Sequence, residues 1–324
     1  VAVAGGFVAL NQGLPWRSTV QTQAAQQRAL VLEDDSLISN PCKQRYGFDE
    51  TWELCLQGDV NAPPTVALLG DSHGYHLVAG LTEHYRSRGG NLLYLRTRLP
   101  FWDVPAGRND DIQKITNQML DIALQTPSIN TVVISTKVKL HNRSPDGRQL
   151  AEALRATVER YVTAGKKVVV VRDVPRLDFQ PRECIRRVAI PLSTTKSPCA
   201  MPRESFERET ALHDALLGSV LRQFPAVELF DAPSYLCDEK LCWAMLEGKL
   251  LYRDRDHLST DGSLYLGQKF GLGLLTGANL SRWADEADRR AAAAGEDRER
   301  PQRRRRHPQR HRRPRPEPAR PDGS

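Results

Sequence analysis

The sequence feature that most constrains the fold is an alternation of short, buried-type strands with amphipathic helices. Five apolar, β-rich segments follow one another from residue 65 onward, separated by segments whose apolar residues recur at helical spacing. Strands of this kind form a parallel sheet that is covered by helices on both faces. We therefore predict a three-layer α/β domain. The predicted strands are 65–69, 91–96, 131–135, 167–171 and 227–231, and the predicted helices are 74–88, 110–125, 149–164, 204–224 and 260–275.

A Gly-Asp-Ser-His motif follows the first of these strands and precedes a helix, with its serine at Ser72. Open parallel sheets bind ligands at the carboxyl ends of their strands, so this hydroxyl lies at the mouth of the predicted sheet. The helix start behind it offers N–H groups and a positive dipole end to an oxyanion. The motif indicates a nucleophile; the alternative is that Ser72 only caps the helix, a common use of serine.

A serine nucleophile needs an aligned base, and the segment before the last predicted helix contains a candidate. In this segment Asp254 and His257 are three residues apart, so one turn can bring the carboxylate to the imidazole ring. There it would orient the ring and stabilise the imidazolium, as in a Ser-His-Asp triad. Asp256 is a second candidate for this carboxylate, although adjacent side chains usually diverge. The alternative is a solvated loop in which Asp254 pairs with a neighbouring arginine.

Six cysteines occur as three close pairs, each in a segment that is typical of a loop. No pair has the C-x-x-C spacing of a zinc site. An even number of cysteines in loop-rich regions favours an oxidising compartment, and the alternative is six reduced thiols in a cytosolic protein. Sequence alone cannot choose the connectivity, but short loops close most easily, so we predict pairing between neighbours. The predicted disulfides are Cys42–Cys55, Cys184–Cys199 and Cys237–Cys242.

The two ends of the chain differ in composition from the region between them. Residues 1–17 are an apolar run followed by Pro-Trp-Arg, which we interpret as the end of a transmembrane helix rather than a clipped signal peptide or a buried strand. Residues 18–40 are interpreted as a linker. Residues 282–324 are rich in Arg, Pro and Ala and carry most of the net charge of +7, so we predict a disordered basic tail. The catalytic domain is then 41–281, and its near-neutral charge excludes a general nucleic-acid surface.

Two sequence segments carry a family resemblance. VALLGDSHGYHL (66–77) and LYRDRDHLSTDGS (251–263), with the cysteine pairs and the early GLPWR, resemble the extracytoplasmic SGNH (GDSL-like) domains fused behind the acyltransferase-3 membrane domain of bacterial cell-surface O-acyltransferases. The resemblance covers roughly residues 1–275. It implies a flavodoxin-like sheet of the SGNH hydrolase type and O-acylation of an envelope glycan. It also implies a triad with Ser72 as nucleophile, His257 as base and Asp254 as orienting acid.

The chain departs from the SGNH pattern where that family supplies oxyanion-hole donors. The glycine expected after the second strand is missing from 96–100, and Ser-Thr-Lys-Val at 135–138 replaces the Gly-x-Asn-Asp expected after the third. One missing donor costs about 10²- to 10³-fold in rate. We expect the backbone N–H of Ser72 to remain as one donor. The candidates for a second donor are Thr136, Lys137 and Asn142.

The preferred interpretation is the extracytoplasmic domain of a membrane-attached O-acyltransferase, which moves an acyl group, most simply acetyl, to an envelope glycan. Its expected partners are that glycan and a membrane acyltransferase domain in the same full-length chain. An acetylesterase with the same triad is one alternative, and a non-catalytic glycan-binding module is another. His73 and His76 have a spacing that suits a metal ion, but the sequence shows no third ligand. We therefore expect neither a metal nor a cofactor.

Overall fold

The computed structural model describes residues 28, 41–47, 55–102, 104, 110–137, 146–185 and 195–304. Within them a seven-stranded sheet has five parallel strands at its centre and an antiparallel strand at each edge. The five central strands agree with the five predicted strands to within one residue at either end. The predicted α/β fold is therefore confirmed.

The strands, in chain order, include four short ones outside the main sheet. They are β1 (Cys55–Gln57), β2 (Val66–Gly70), β3 (Leu92–Arg96), β4 (Thr131–Ser135), β5 (Lys167–Arg172), β6 (Ala200–Pro202), β7 (Glu228–Asp231), β8 (Leu241–Trp243), β9 (Met245–Leu246), β10 (Lys249–Leu250) and β11 (Leu274–Leu275). The main sheet has the order β1-β3-β2-β4-β5-β7-β11, while β6 pairs with β8 and β9 with β10. Its central part is the flavodoxin-like, doubly wound arrangement, in which β2 lies between β3 and β4.

Nine helices surround the sheet within the described residues. They are α1 (Cys42–Tyr46), α2 (Ser72–Tyr75), α3 (Val78–Arg86), α4 (Asp110–Gln125), α5 (Asp146–Thr163), α6 (Arg203–Leu221), α7 (Pro233–Leu236), α8 (Thr260–Lys269) and α9 (Gly277–Arg304). A 3₁₀ turn covers Pro181–Cys184.

Successive side chains of the central strands enter two separate cores because a strand alternates its faces. In β2, Ala67 and Leu69 enter the core beneath α4, α5, α6 and α9, whereas Val66 and Leu68 enter the core beneath α3 and α8. Both faces of the central strands are buried under helices, which explains why these strands appear in the sequence as continuous apolar runs. The helix side chains of the two cores include Met119, Leu154, Leu217 and Trp283 on the first face and Leu81 and Leu266 on the second.

The predicted helices 149–164 and 204–224 are shifted by up to three residues at one end, and two other predicted helices differ more from the structure. The predicted helix 74–88 is two helices, α2 and α3, which meet at His76 and Leu77. The Leu77 N–H donates to the Gly74 carbonyl, three residues back, so the chain makes a tight turn there. The predicted helix 260–275 ends early, at Lys269, because Phe270 leaves the helical conformation with a ψ of 129°; Gly271 then follows in a left-handed conformation with a φ of 86°. Leu274–Leu275 then pairs with β7 as an edge strand.

The prediction of a disordered tail from residue 282 is wrong for the part of it that the structure describes. Helix α9 continues to Arg304 and packs along α6. Leu280, Trp283, Ala284 and Ala287 are buried in this contact. A methyl group on Gly218 of α6 would come within 2.8 Å of the Ala284 side chain, so the two helices are in close contact. The domain therefore extends beyond its predicted end at residue 281, while residues 305–324 lie outside the described residues.

We expect Trp283→Ala to lower the free energy of unfolding by about 3 kcal/mol, because truncation of a buried Trp removes apolar contacts and leaves a cavity. Deletion of residues 282–324 is expected to destabilise the domain further, since Ala284 and Ala287 are lost as well. Arg289→Ala, at an exposed position of the same helix, should change the free energy of unfolding by less than about 0.5 kcal/mol. Urea denaturation measures all three, and a Trp283→Ala variant as stable as the wild type would contradict the packing role.

Two of the three predicted disulfides are confirmed. Cys184 is bonded to Cys199 and Cys237 to Cys242. Cys55 is also disulfide-bonded, but the side chain of Cys42 lies outside the described residues, so the first pairing stays a prediction. The second bond joins β8, which contains Cys242, to Cys237, the residue that directly follows α7.

None of the helices described in the structure has both the length and the apolar character needed to cross a bilayer. The segment interpreted as the end of a transmembrane helix, 1–17, lies outside the described residues. The same holds for the linker 18–40 apart from Arg28.

Candidate active site

Ser72 stands where β2 ends and α2 begins, at the carboxyl edge of the sheet. The helix cap is Asp71 and not Ser72, because the Asp71 carboxylate accepts the His73 N–H at 2.9 Å. The Tyr94 hydroxyl fixes the turn from below by donating to the Asp71 carbonyl at 2.9 Å. The serine hydroxyl is therefore not used as a cap and is available for another partner.

A tight loop brings the candidate base to this serine. Tyr252 and Leu258 form an antiparallel bridge, and the Arg253 N–H donates to the His257 carbonyl at 3.0 Å, so residues 253–257 form a closed turn. Helix α8 follows this loop and anchors it to α3. The anchor is a close approach of two glycines: a Cβ on Gly80 would meet the Ser263 carbonyl at 1.9 Å, and one on Gly267 would meet the Gly80 carbonyl at 2.3 Å.

The structure joins the three predicted triad residues in one hydrogen-bonded chain. His257 Nε2 lies 2.8 Å from Ser72 Oγ. On the other side of the ring, His257 Nδ1 lies 2.9 Å from Asp254 Oδ2 and 3.0 Å from Oδ1. A carboxylate on Nδ1 leaves Nε2 to accept the serine proton, which is the arrangement that general-base activation of a serine requires.

Asp254 is held as a carboxylate by the loop that carries it. Burial alone would raise its pKa, but the His257 side chain and the backbone N–H groups of Asp256 and His257 hydrogen-bond to the charged form and hold the pKa well below its usual range. These two N–H groups donate to Asp254 Oδ1 at 3.0 and 2.8 Å. The same bonds fix the position of the carboxylate relative to the ring.

Asp256, the second candidate for the orienting acid, is directed elsewhere. Its carboxylate forms an ion pair with the Lys137 ammonium group. Its nearest approach to His257 Nδ1 is 3.9 Å, which is outside hydrogen-bond distance. The geometry therefore favours Asp254 over Asp256 as the partner of the histidine.

Two of the three candidates for a second oxyanion-hole donor already donate a hydrogen bond to Asp71. The Thr136 hydroxyl donates to Asp71 Oδ2 at 3.1 Å, and the Lys137 N–H donates to the same oxygen at 3.2 Å. Asp71 thus ties the end of β4 to the serine turn and occupies both donors. Asn142 lies outside the described residues.

A second His–Asp pair stands beside the triad and was not found from the sequence. His73 Nδ1 lies 2.7 Å from Asp173 Oδ1, and both side chains are buried. The ring centroids of His73 and His257 are 4.9 Å apart. Asp173 follows β5 directly, and the expectation of functional residues at the strand ends was the one sequence signal that pointed to it.

Burial affects the two histidines of the α2 turn differently. Burial alone would lower the pKa of His73, but the Asp173 carboxylate outweighs it, and the pKa is raised. Burial lowers the pKa of His76 well below its usual value, and the nearby His73 and His257 rings lower it further. The His76 ring packs beside His257, with 6.1 Å between the ring centroids, and its Nδ1 accepts the Leu258 N–H at 3.4 Å.

Two clusters among the described residues have donor atoms close enough to consider a metal ion: His73 with His76 and Asp173, and Asp254 with Asp256 and His257. In each cluster one histidine ring nitrogen already bonds to a carboxylate of the same cluster. His73 Nδ1 bonds to Asp173, and His257 Nδ1 bonds to Asp254. We assign both clusters as hydrogen-bonded pairs and derive no step through a metal.

A family model described as the SGNH domain fused to AT3 domains matches residues 41–271. No curated protein matches the sequence. The periplasmic domain of a lipopolysaccharide acetyltransferase from Salmonella ser. Paratyphi A superposes with a TM-score of 0.51 at 18% identity, over 65% of this chain and 84% of that one. A candidate acylhydrolase from Bacteroides fragilis gives a TM-score of 0.39 at 14% identity, over 73% and 95% of the two chains.

Proposed function

Because the chain belongs to the family of SGNH domains that are fused to AT3 domains, we propose that it is a serine-dependent O-acyltransferase domain. It moves an acyl group, most simply acetyl, to a glycan of the cell envelope. The observation that carries the proposal is the continuous chain of hydrogen bonds from Ser72 through His257 to Asp254.

The proposed reaction has two steps at one serine. His257 Nε2 takes the Ser72 proton while the serine oxygen attacks the donor's carbonyl carbon, and the leaving group departs with that proton. A hydroxyl of the acceptor then attacks the acyl-enzyme with His257 as base. The new ester forms on the acceptor, and the proton returns to Ser72. Asp254 stays charged throughout and stabilises the imidazolium that forms in each step.

The proposed compartment and partner follow from the family and the cysteines. A domain fused to AT3 domains has a membrane acyltransferase domain as its partner in the same chain, which can supply the acyl group. The two disulfides favour an oxidising compartment, so we place the domain on the extracytoplasmic side of the membrane. The Ser72 backbone N–H is retained as the proposed oxyanion donor.

One observation favours a different class of function, a glycan-binding module without catalysis. The Thr136 hydroxyl and the Lys137 backbone N–H, which follow β4, both donate to Asp71 instead of facing a developing oxyanion. A hydrolytic esterase differs from the transferase only in the attacking group, since water takes the place of the sugar hydroxyl.

Covalent labelling separates the catalytic proposal from the binding module. A fluorophosphonate reagent should add once to the wild-type protein, with the adduct on Ser72 in a peptide digest, because an activated serine attacks phosphorus much faster than an ordinary hydroxyl. Ser219→Ala is the matched control, since Ser219 is exposed and its hydroxyl only donates to Leu216 of its own helix. Absence of an adduct on Ser72 would favour the binding module.

A further inference from the structure

A run of arginines begins where α9 ends. Residues 303–315 contain eight arginines and neither aspartate nor glutamate, so these thirteen residues have a charge of +8 when their histidines are neutral. The whole chain has a net charge of +7, so all its other residues together have a net charge of −1, the difference between the two values. The rest of the chain therefore offers the run no matching excess of negative charge.

The pattern of charge changes abruptly at this point of the helix. From Gly277 to Gln302, α9 has five arginines and six acidic residues, so this part of the helix has a net charge of −1. Mixed signs of this kind are typical of a solvated helix face, whereas a block of more than five like charges is typical of a segment that binds a partner of opposite charge. The run, and not the helix before it, is therefore the candidate interaction segment.

The contacts of α9 with α6 show in which direction α9 points. At the end of α6, Arg222 Nη2 lies 3.2 Å from Asp285 Oδ1. Earlier in α6, Asp214 Oδ2 lies 3.8 Å from Arg290 Nη2. Residue numbers thus rise along α9 while they fall along α6, so the two helices are antiparallel. Helix α9 therefore advances from the end of α6 towards its start.

The first half of α6 lies at the sheet edge that carries the candidate active site. Asp214 Oδ2 lies 2.6 Å from Nη2 of Arg172, the last residue of β5, so the contact of Asp214 with Arg290 is at the carboxyl edge of the sheet. Glu209, earlier in α6, lines one cavity together with His73, the residue that follows the candidate nucleophile. Helix α9 therefore reaches this edge at about Arg290.

Helix α9 continues beyond this edge. Fourteen residues separate Arg290 from Arg304, the last residue of the helix, which corresponds to about 21 Å of helix. Eleven residues, or about 16 Å of helix, separate Asp214 from Arg203, the first residue of α6. The end of α9 therefore reaches past the start of α6. The arginine run begins there, on the side of the domain that carries Ser72.

A membrane surface with anionic phospholipids suits this run better than another polyanion does. The chain belongs to the family of SGNH domains fused to AT3 domains, and its disulfides favour an oxidising compartment, where a membrane domain is the expected partner and nucleic acid is not. Besides arginine, the run contains only two histidines, two prolines and one glutamine. It has no aromatic or long apolar side chain to insert into the hydrocarbon core, so binding would be electrostatic and at the headgroups.

We propose that the arginine run 303–315 binds the anionic phospholipid headgroups of a membrane, with the carboxyl edge of the sheet turned towards the lipid surface. Each arginine near such a surface contributes about fivefold in affinity, and salt screens this contribution. The inference rests on the compartment proposed above and not on the proposed catalysis. Binding can therefore fail while the serine chemistry stands, and the reverse also holds.

Co-sedimentation with vesicles measures the binding. The protein should bind phosphatidylcholine vesicles that contain about one third phosphatidylglycerol, and it should bind pure phosphatidylcholine vesicles about tenfold more weakly or less. An increase of NaCl from about 0.05 M to about 0.5 M should weaken the binding by about tenfold. Equal binding to both kinds of vesicle, or no binding at low salt, would overturn the inference. Tighter binding to a DNA duplex than to the anionic vesicles at the same salt would assign the run to nucleic acid instead.

Two pairs of substitutions separate the run from the general charge of the domain. Arg305→Gln with Arg306→Gln removes two arginines of the run beyond the last residue of α9, and we expect about twentyfold weaker binding to the anionic vesicles. Arg282→Gln with Arg289→Gln is the matched control, because both residues are exposed on α9 outside the run. The control pair should weaken binding by less than about threefold, since charges far from the surface are screened. An equal loss in both pairs would contradict a role for the run.

Quenching by nitroxide-labelled lipid tests the orientation. One fluorophore is attached at Arg176→Cys, an exposed position that lines the cavity at the carboxyl edge. The other is attached at Thr163→Cys, an exposed position at the end of α5, just before β5 begins at the opposite edge. On anionic vesicles the label at residue 176 should lose more of its emission than the label at residue 163. Equal quenching of the two labels, or the reverse order, would overturn the proposed orientation.

Discussion

Ser72→Ala is expected to lower the turnover of an acetyl ester by about 10⁴-fold or more, because it removes the only nucleophile of the proposed acyl-enzyme. The thermal midpoint should change little. The cap of α2 is the Asp71 side chain, so loss of the serine hydroxyl leaves the cap intact. The side chain is also only partly buried, so its truncation leaves no large cavity.

Hydrolysis of 4-nitrophenyl acetate and a thermal melt on the same preparations test this expectation, with Ser219→Ala as the matched control. Turnover within tenfold of the wild type in a folded Ser72→Ala protein would rule out the serine as nucleophile. A large fall in the melting temperature would instead show that the hydroxyl has a structural role.

Asp254→Asn is expected to lower turnover by about 10⁴-fold, whereas Asp256→Asn should lower it by less than about tenfold. An amide beside His257 Nδ1 can hold the ring in the tautomer whose Nε2 carries a proton and cannot accept the serine proton. Asp256 is 3.9 Å from the same nitrogen and pairs with Lys137, so its loss leaves Lys137 without an acidic partner but does not change the partner of the base.

The two asparagine variants are matched, since both remove one negative charge from one loop. Steady-state rates on the same acetyl ester, measured at several pH values, distinguish them. The opposite order of activities would assign the orienting role to Asp256. If both variants are as active as the wild-type protein, His257 acts without a carboxylate or the site is not catalytic.

The helix α9 shows how composition concealed a signal that the sequence did contain. Leu280, Trp283, Ala284 and Ala287 follow the spacing of one helix face, which is the pattern of a packed amphipathic helix. The prediction of disorder used the composition of the whole segment 282–324, which is dominated by Arg, Pro and Ala. That composition does not reveal the few apolar residues that share one helix face. A window of two turns would have detected it, whereas a composition over the whole segment could not.

What the sequence determined by itself was local. The positions of the five central strands, the serine at the end of β2 and the carboxylate three residues before the histidine all follow from short-range patterns, because strand burial and a single turn depend on neighbouring residues. The tertiary structure decided which distant groups meet. His73 and Asp173 are 100 residues apart, as strands β2 and β5 bring them to one edge of the sheet. In the same way, Asp71 accepts the Thr136 hydroxyl, which follows β4, and Lys137 pairs with Asp256. These residues are distant in the chain and meet only because the strands lie side by side, so no local pattern predicts the contacts.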